Sequence, residues 1–130
     1  MTIYTIGYGN RKFSDFISLL NQHHINIVID VRRFPKSSSS EYNRENLESR
    51  LPEFSVDYVS MGETLGGLRS GGYPKHMETN SYQTGINQLL ELAKGRNIVL
   101  MCKERSDSGC HRRYIVETLK GLGVDVTPIL

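Results

Sequence analysis

Short apolar runs alternate along this chain with stretches in which apolar residues recur every three or four positions. The runs are Thr2 to Ile6, Ile25 to Val31, Ser55 to Val59, Asn97 to Met101 and Val124 to Ile129, each with the length and β-branched content of a strand. The second and fourth are apolar almost throughout, which predicts strands buried on both faces in the middle of a sheet. Between the first two runs, Phe13, Phe16, Ile17 and Leu20 form one helical stripe that Ser14 and Asp15 can open. A second stripe, Ile86, Leu89, Leu90 and Ala93, follows the capping candidates Asn80 and Ser81 and stops before Gly95. The third is Ile115, Val116, Leu119 and Leu122, ending near Gly121 and Gly123, and a short helix from Asn43 to Leu51 is expected to close at Pro52.

Strands that alternate with helices predict an α/β fold: a single-domain, three-layer α/β/α arrangement with a mostly parallel sheet of about five strands. At 130 residues the chain is long enough for one core, and no internal repeat or linker interrupts it. Ser37 to Ser40 reads as a mobile loop. The glycine-rich stretch Met61 to Thr79, with Glu63, Arg69, Tyr73, Lys75 and His76, reads as a long irregular loop, either a lid over substrate or plain disorder.

Composition narrows the function classes. No run of about 18 apolar residues exists, which excludes a membrane-spanning helix. The first residues read as a strand and not as a secretory signal, so a cytoplasmic protein is expected, with Cys102 and Cys110 kept as thiols. A net charge of +2 is too small to draw the whole molecule onto nucleic acid or acidic lipid, so local arrangement must decide. Ten of the sixteen basic residues are arginine, the side chain suited to bidentate recognition of carboxylate or phosphate.

In open parallel sheets ligands bind beyond the carboxyl ends of the strands. The first strand delivers Gly7-Tyr8-Gly9-Asn10-Arg11 to that edge, with glycines that permit tight turns and Asn10 as a polar group. The second delivers Asp30, a buried acid in need of a partner, with Arg32 and Arg33 directly behind it. An internal Asp30–Arg32 ion pair and a ligand-binding role both fit. The loop after the third strand adds Gly66, Gly67 and Arg69. After the fourth comes Cys102-Lys103-Glu104-Arg105, then Cys110-His111-Arg112, and a thiol at a strand end before a helix N-terminus has its pKa lowered.

Register sharpens the reading, because Arg112 lies three, four and seven residues before Ile115, Val116 and Leu119. It therefore faces inward, where a guanidinium needs an acid or an anion. His111 flanks the same face. Cys110, extrapolated on that helix, points away from the core unless it lies in the loop before the helix begins. A zinc site from Cys102, Cys110 and His111 is disfavoured by their spacing, so no metal and no cofactor is expected. A purely structural buried thiol remains the plain alternative at Cys102.

Taken together, Thr5 to Asn10, Asp30-Val31-Arg32, Pro35, Leu65-Gly66-Gly67, Cys102-Lys103-Glu104 and Cys110-His111-Arg112 resemble the domain of unknown function 488 family. The resemblance covers essentially the entire chain and implies a compact α/β fold without an established reaction. It places Glu104 inside the signature as a candidate general base or orienting group. There is a looser likeness to rhodanese and cysteine-phosphatase domains, departing in the longer interval between Cys102 and Arg112.

The leading expectation is an enzyme in which Arg32, Arg112 and the backbone N–H groups of the Ser108 to Cys110 turn hold an anionic small molecule, a nucleotide or another phosphate ester. Cys102 or Glu104 then performs the chemistry. One rival is a non-catalytic nucleic-acid-binding module built on Arg32, Arg33, Lys36, Lys103, Arg105 and Arg113, with Tyr8 and Tyr73 as stacking platforms. Another is a thiol redox or sulfur-transfer protein, which requires the two sulfurs to come within reach. Oligomeric state has no signature in the pattern.

Overall fold

The second and fourth apolar runs become central strands because nothing polar interrupts them short of their ends. Ile27 to Asp30 and Ile98 to Cys102 are buried at every position, and such strands are stable only between two layers of helices. The computed structural model describes residues 2–106 and 110–130. Its five strands are β1 (Thr2–Gly7), β2 (Ile27–Asp30), β3 (Asp57–Ser60), β4 (Ile98–Cys102) and β5 (Asp125–Ile129), all parallel, in the order β3-β2-β4-β1-β5. The two fully buried strands lie inside the sheet, as their sequences require.

Helices α1 (Phe13–Gln22) and α2 (Arg44–Arg50) cover one face of the sheet. There Phe13, Phe16, Ile17, Leu20 and Leu47 pack with Ile6, Val28, Val99 and Met101. Helices α3 (Gly62–Leu65), α4 (Tyr73–His76), α5 (Asn80–Leu92) and α6 (Arg112–Gly121) cover the other. On this side Leu65, Tyr73, Tyr82, Ile86, Leu89, Ile115 and Leu119 pack with Ile3, Ile29, Ile98 and Leu100. No helix among the described residues is long and apolar enough to cross a membrane.

Four expectations are corrected in detail. Met61 to Thr79 is not an irregular loop: Tyr73 and His76 are each only 7% exposed, with Tyr73 Oη donating to Leu65 O and His76 Nε2 to Thr64 O. Burying those rings costs nothing in lost hydrogen bonds, so the segment folds as α3 and α4 against the core. The cap of α5 is Thr79, whose hydroxyl accepts from Tyr82 N–H, one residue ahead of the expected pair. Leu122 closes α6 beyond its last turn and is exposed, outside the stripe it was assigned to. The expected loop around Ser37 to Ser40 is tied at both ends, with Ser37 N–H donating to Asn43 Oδ1 and Arg44 N–H to Pro35 O.

The topology locates a crevice. β1 and β2 send the chain to the α1/α2 face, whereas β4, which lies between them, sends it to α6 on the opposite face. Neighbouring strands whose exits diverge leave an opening beyond their carboxyl ends.

Candidate active site

The register sets three residues side by side at this opening. Gly7 pairs with Cys102 across β1 and β4, and Asp30 pairs with Met101 across β2 and β4. Asp30 is fully buried and satisfied by a fork: Arg32 Nε donates to one carboxylate oxygen at 2.9 Å and Nη2 to the other at 2.7 Å. The Arg32 backbone N–H and the Tyr58 hydroxyl also donate to this carboxylate. Burial works against the Arg32 charge, but the hydrogen bonds and charge of Asp30 outweigh it and hold the guanidinium above its ordinary pKa. Burial, reinforced by the Asp30 charge, pushes the Tyr58 hydroxyl up as well. Arg32 is thus committed to Asp30, and it spans from there to Tyr8 Oη.

Arg112 faces inward as its register required, and its side chain is completely buried. Its visible partners are carbonyls: Nη1 donates to Ile6 O at 2.5 Å and Nη2 to Glu104 O at 2.6 Å. Carbonyls at a strand end and in a loop are orphan acceptors, and a five-donor guanidinium satisfies several at once. Arg112 therefore ties the loop after β4 to the end of β1. Gly7 belongs to the same joint, because a Cβ on it would meet Glu104 O at 1.9 Å. Glu104 contributes its backbone here, while its side chain is exposed at the rim.

The helix begins at Arg112, which frees Cys110 from the helical geometry that would have turned it outward. This satisfies the condition on which its orientation depended. The Cys102, Cys110 and His111 donor atoms all lie within 4.8 Å of one another. Cys110 Sγ stands 3.5 Å from His111 Nδ1 and accepts from the Arg112 N–H at the first turn of α6 at 3.4 Å. His111 Nε2 is 2.8 Å from Val31 O. A carbonyl only accepts, so Nε2 carries the ring proton and Nδ1 offers its lone pair to the sulfurs.

The hydrogen bond from Cys110 does most to lower the Cys102 thiol, to about 7; burial opposes it, and the Glu104 N–H, the Arg112 charge and the Lys103 N–H assist. For Cys110 the same bond, together with burial, pushes the thiol well above its ordinary range. Burial pushes His111 down, with the Arg112 and Arg69 charges adding to it against the Val31 bond. Cys102 is thus the more acidic thiol and Cys110 the less acidic, beside an imidazole held toward its neutral form. The same three atoms are a donor set that a soft divalent cation could use, with Val31 O orienting the imidazole.

This cluster forms the floor of a crevice of about 460 Å³ whose walls include Tyr8, Arg32, Arg33, Phe34, Lys36, Gly67, Leu68, Lys103 and Glu104. Arg33, Lys36 and Lys103 give it cationic character against the single acid Glu104. Of the other expected residues, Asn10 lies in an adjoining hollow with Ser37 to Ser39. Arg69 clamps the α3 turn by donating to Gly62, Glu63 and Gly66 carbonyls. Gly66 admits Arg33 Cα so closely that a Cβ would meet it at 2.7 Å. Ser108 and Gly109 of the expected anion-holding turn lie outside the described residues. Tyr8 is sandwiched between Tyr42 and Arg32, and Tyr73 is stacked on Tyr114, so neither stacking platform shows an open face. In a second hollow of about 500 Å³, lined by Lys12, Phe13, Ser14, Ile17, Glu41, Arg50 and Phe54, Arg50 pairs with Glu41 and lies over the Phe13 ring.

Sequence reasoning missed Phe34, Lys36 and Leu68 as walls, Tyr58 as an Asp30 partner and Val31 O as the acceptor that fixes the His111 tautomer. The proximity of Cys110 to Cys102 had no local signal, because it depends on where α6 begins. In comparison with known proteins, the family model described as "Domain of unknown function DUF488" matches residues 12–119, well over half of the chain. No curated protein matches it.

Proposed function

The chain belongs to the DUF488 family, whose description names no reaction, so its chemistry has to be read from the site, and we propose that it is a thiol enzyme acting on an anionic substrate in the crevice. Cys102 Sγ is the nucleophile. The observation that carries this reading is the place of that sulfur, at the end of β4 on the crevice and within 4.8 Å of Cys110 Sγ and the His111 ring, where the Cys110 thiol, the N–H groups of Glu104 and Lys103 and the Arg112 charge all lower its pKa. A merely structural thiol gains nothing from such a shell, whereas a thiolate is stabilised by every member of it. Arg33, Lys36 and Lys103 hold the substrate's negative charge, Phe34 and Leu68 cover its apolar part, and Asp30 with Arg32 keeps the wall rigid.

Phosphoryl transfer fits less well. It needs a guanidinium turned into the anion's cradle, and that of Arg112 is spent on Ile6 O and Glu104 O. The nucleic-acid reading loses its aromatic platforms to burial.

Alkylation with a charged and a neutral reagent tests the proposal. Iodoacetate should outpace iodoacetamide at Cys102 by about tenfold or more relative to their ratio on free cysteine, and salt should erase the advantage. Cys102→Ser should abolish the fast reaction. A ratio equal to that of free cysteine would overturn the reading.

A further inference from the structure

The nucleophile reading uses Cys110 only as a donor to the Cys102 sulfur and gives its own sulfur no bond to make. In attack on carbon or phosphorus a hydroxyl could donate that hydrogen bond as well as a thiol, since water or another acceptor completes those reactions. It has a use when the first sulfur becomes bonded to another sulfur, because that bond is itself the electrophile for a neighbouring thiolate. Its proton also has a destination: His111 Nδ1, 3.5 Å from Cys110 Sγ, whose lone pair is free because Nε2 donates to Val31 O. All three atoms lie within 4.8 Å of one another, so a disulfide bond of about 2.05 Å would join two sulfurs that the fold already holds as neighbours, one buried and one half-buried just before α6.

We propose that the crevice reduces low-molecular-weight anionic disulfides, with Cys102 as the attacking and Cys110 as the resolving thiol. This deepens the preceding reading and rests on it. In the first step the Cys102 thiolate attacks one sulfur of R–S–S–R, forming Cys102–S–S–R and releasing RS⁻. Cys102 then no longer accepts the Cys110 proton, which passes to His111 Nδ1. The Cys110 thiolate attacks Cys102 Sγ, the bond to the second RS breaks, and that RS⁻ departs with the proton from His111. The protein pair has lost two electrons and the substrate disulfide has gained them. Two molecules of a low-molecular-weight thiol return the Cys102–Cys110 disulfide to the dithiol by exchange in the reverse sense. Arg33, Lys36 and Lys103 select the negative charge of R.

The probe is 5,5′-dithiobis(2-nitrobenzoate), an anionic aromatic disulfide, in metal-free buffer. The wild-type chain should release two thionitrobenzoate anions per molecule and end with a Cys102–Cys110 linkage in the peptide map, without bound reagent. Cys110→Ser should release one and retain a mixed disulfide on Cys102. Wild-type protein that stops at this mixed disulfide, with Cys102 still reacting fast, would overturn the resolving role while leaving the nucleophile in place. Reaction no faster than with a free thiol, or unchanged in Cys102→Ser, would overturn both.

Discussion

Cys102 and Cys110 have the same side chain and opposite behaviour, because a shared proton can sit on only one of them. The sulfur that receives the hydrogen bond and the loop N–H groups is the more acidic, and the one that donates is held toward its protonated form. Alkylation of Cys102 should therefore rise with pH through a midpoint near 7 and level off above it, since the thiolate is the reacting form. In Cys110→Ala the largest stabilising contact is gone, and the midpoint should move up toward the ordinary thiol value of about 8.5. Asp30 offers a different test. Asp30→Asn leaves Arg32, only 7% exposed, without its counter-charge, and should lower unfolding free energy by about 3–5 kcal/mol in urea denaturation. The Asp30–Arg32 pairing was readable from adjacency at the end of an apolar run. The Cys102–Cys110 pairing was not, because it depends on where α6 begins, and an inward-facing Arg112 is compatible with a helix that starts at either residue.

For the secondary structure, legibility followed the strength of the apolar pattern. The stripes of α1 and α5 and the runs of β2 and β4 appear within a few residues of their expected limits, because burial on one or both faces leaves little alternative. Met61 to Thr79 was misread because its glycines serve close packing and turns, and because Tyr73 and His76 are polar-tipped rings whose burial depends on acceptors in α3 that periodicity does not reveal. The joint between β1 and the loop after β4 gives the sharpest test of how elements hold the site. Gly7→Ala drives a methyl group into Glu104 O, which has no room to retreat while Arg112 binds it. Destabilisation of about 1–3 kcal/mol is expected in chemical denaturation, together with loss of the accelerated alkylation of Cys102. Thr79→Ala, which removes only the α5 cap, should cost about 1 kcal/mol and leave alkylation unchanged.

The molecule as a whole places its candidate site where strands β1, β4 and β2 end together and where their connections leave for opposite layers. That much follows from an all-parallel sheet with β4 between β1 and β2, an order no single motif encodes. The crevice rim carries Phe34 at 66% and Leu68 at 83% exposure, apolar groups that contribute little to the folded core. Phe34→Ser and Leu68→Ser should leave the melting temperature nearly unchanged while slowing reaction with the aromatic disulfide, a separation of binding from stability that calorimetry and stopped-flow mixing would show together.

Arg112 is at once the first residue of α6, a donor to the end of β1 and a donor to the loop that follows Cys102. A part fastened at three points has no open form to wait for. Modification of Cys102 should then follow simple second-order kinetics, the observed rate climbing linearly with reagent concentration and showing no plateau at the frequency of a gating motion.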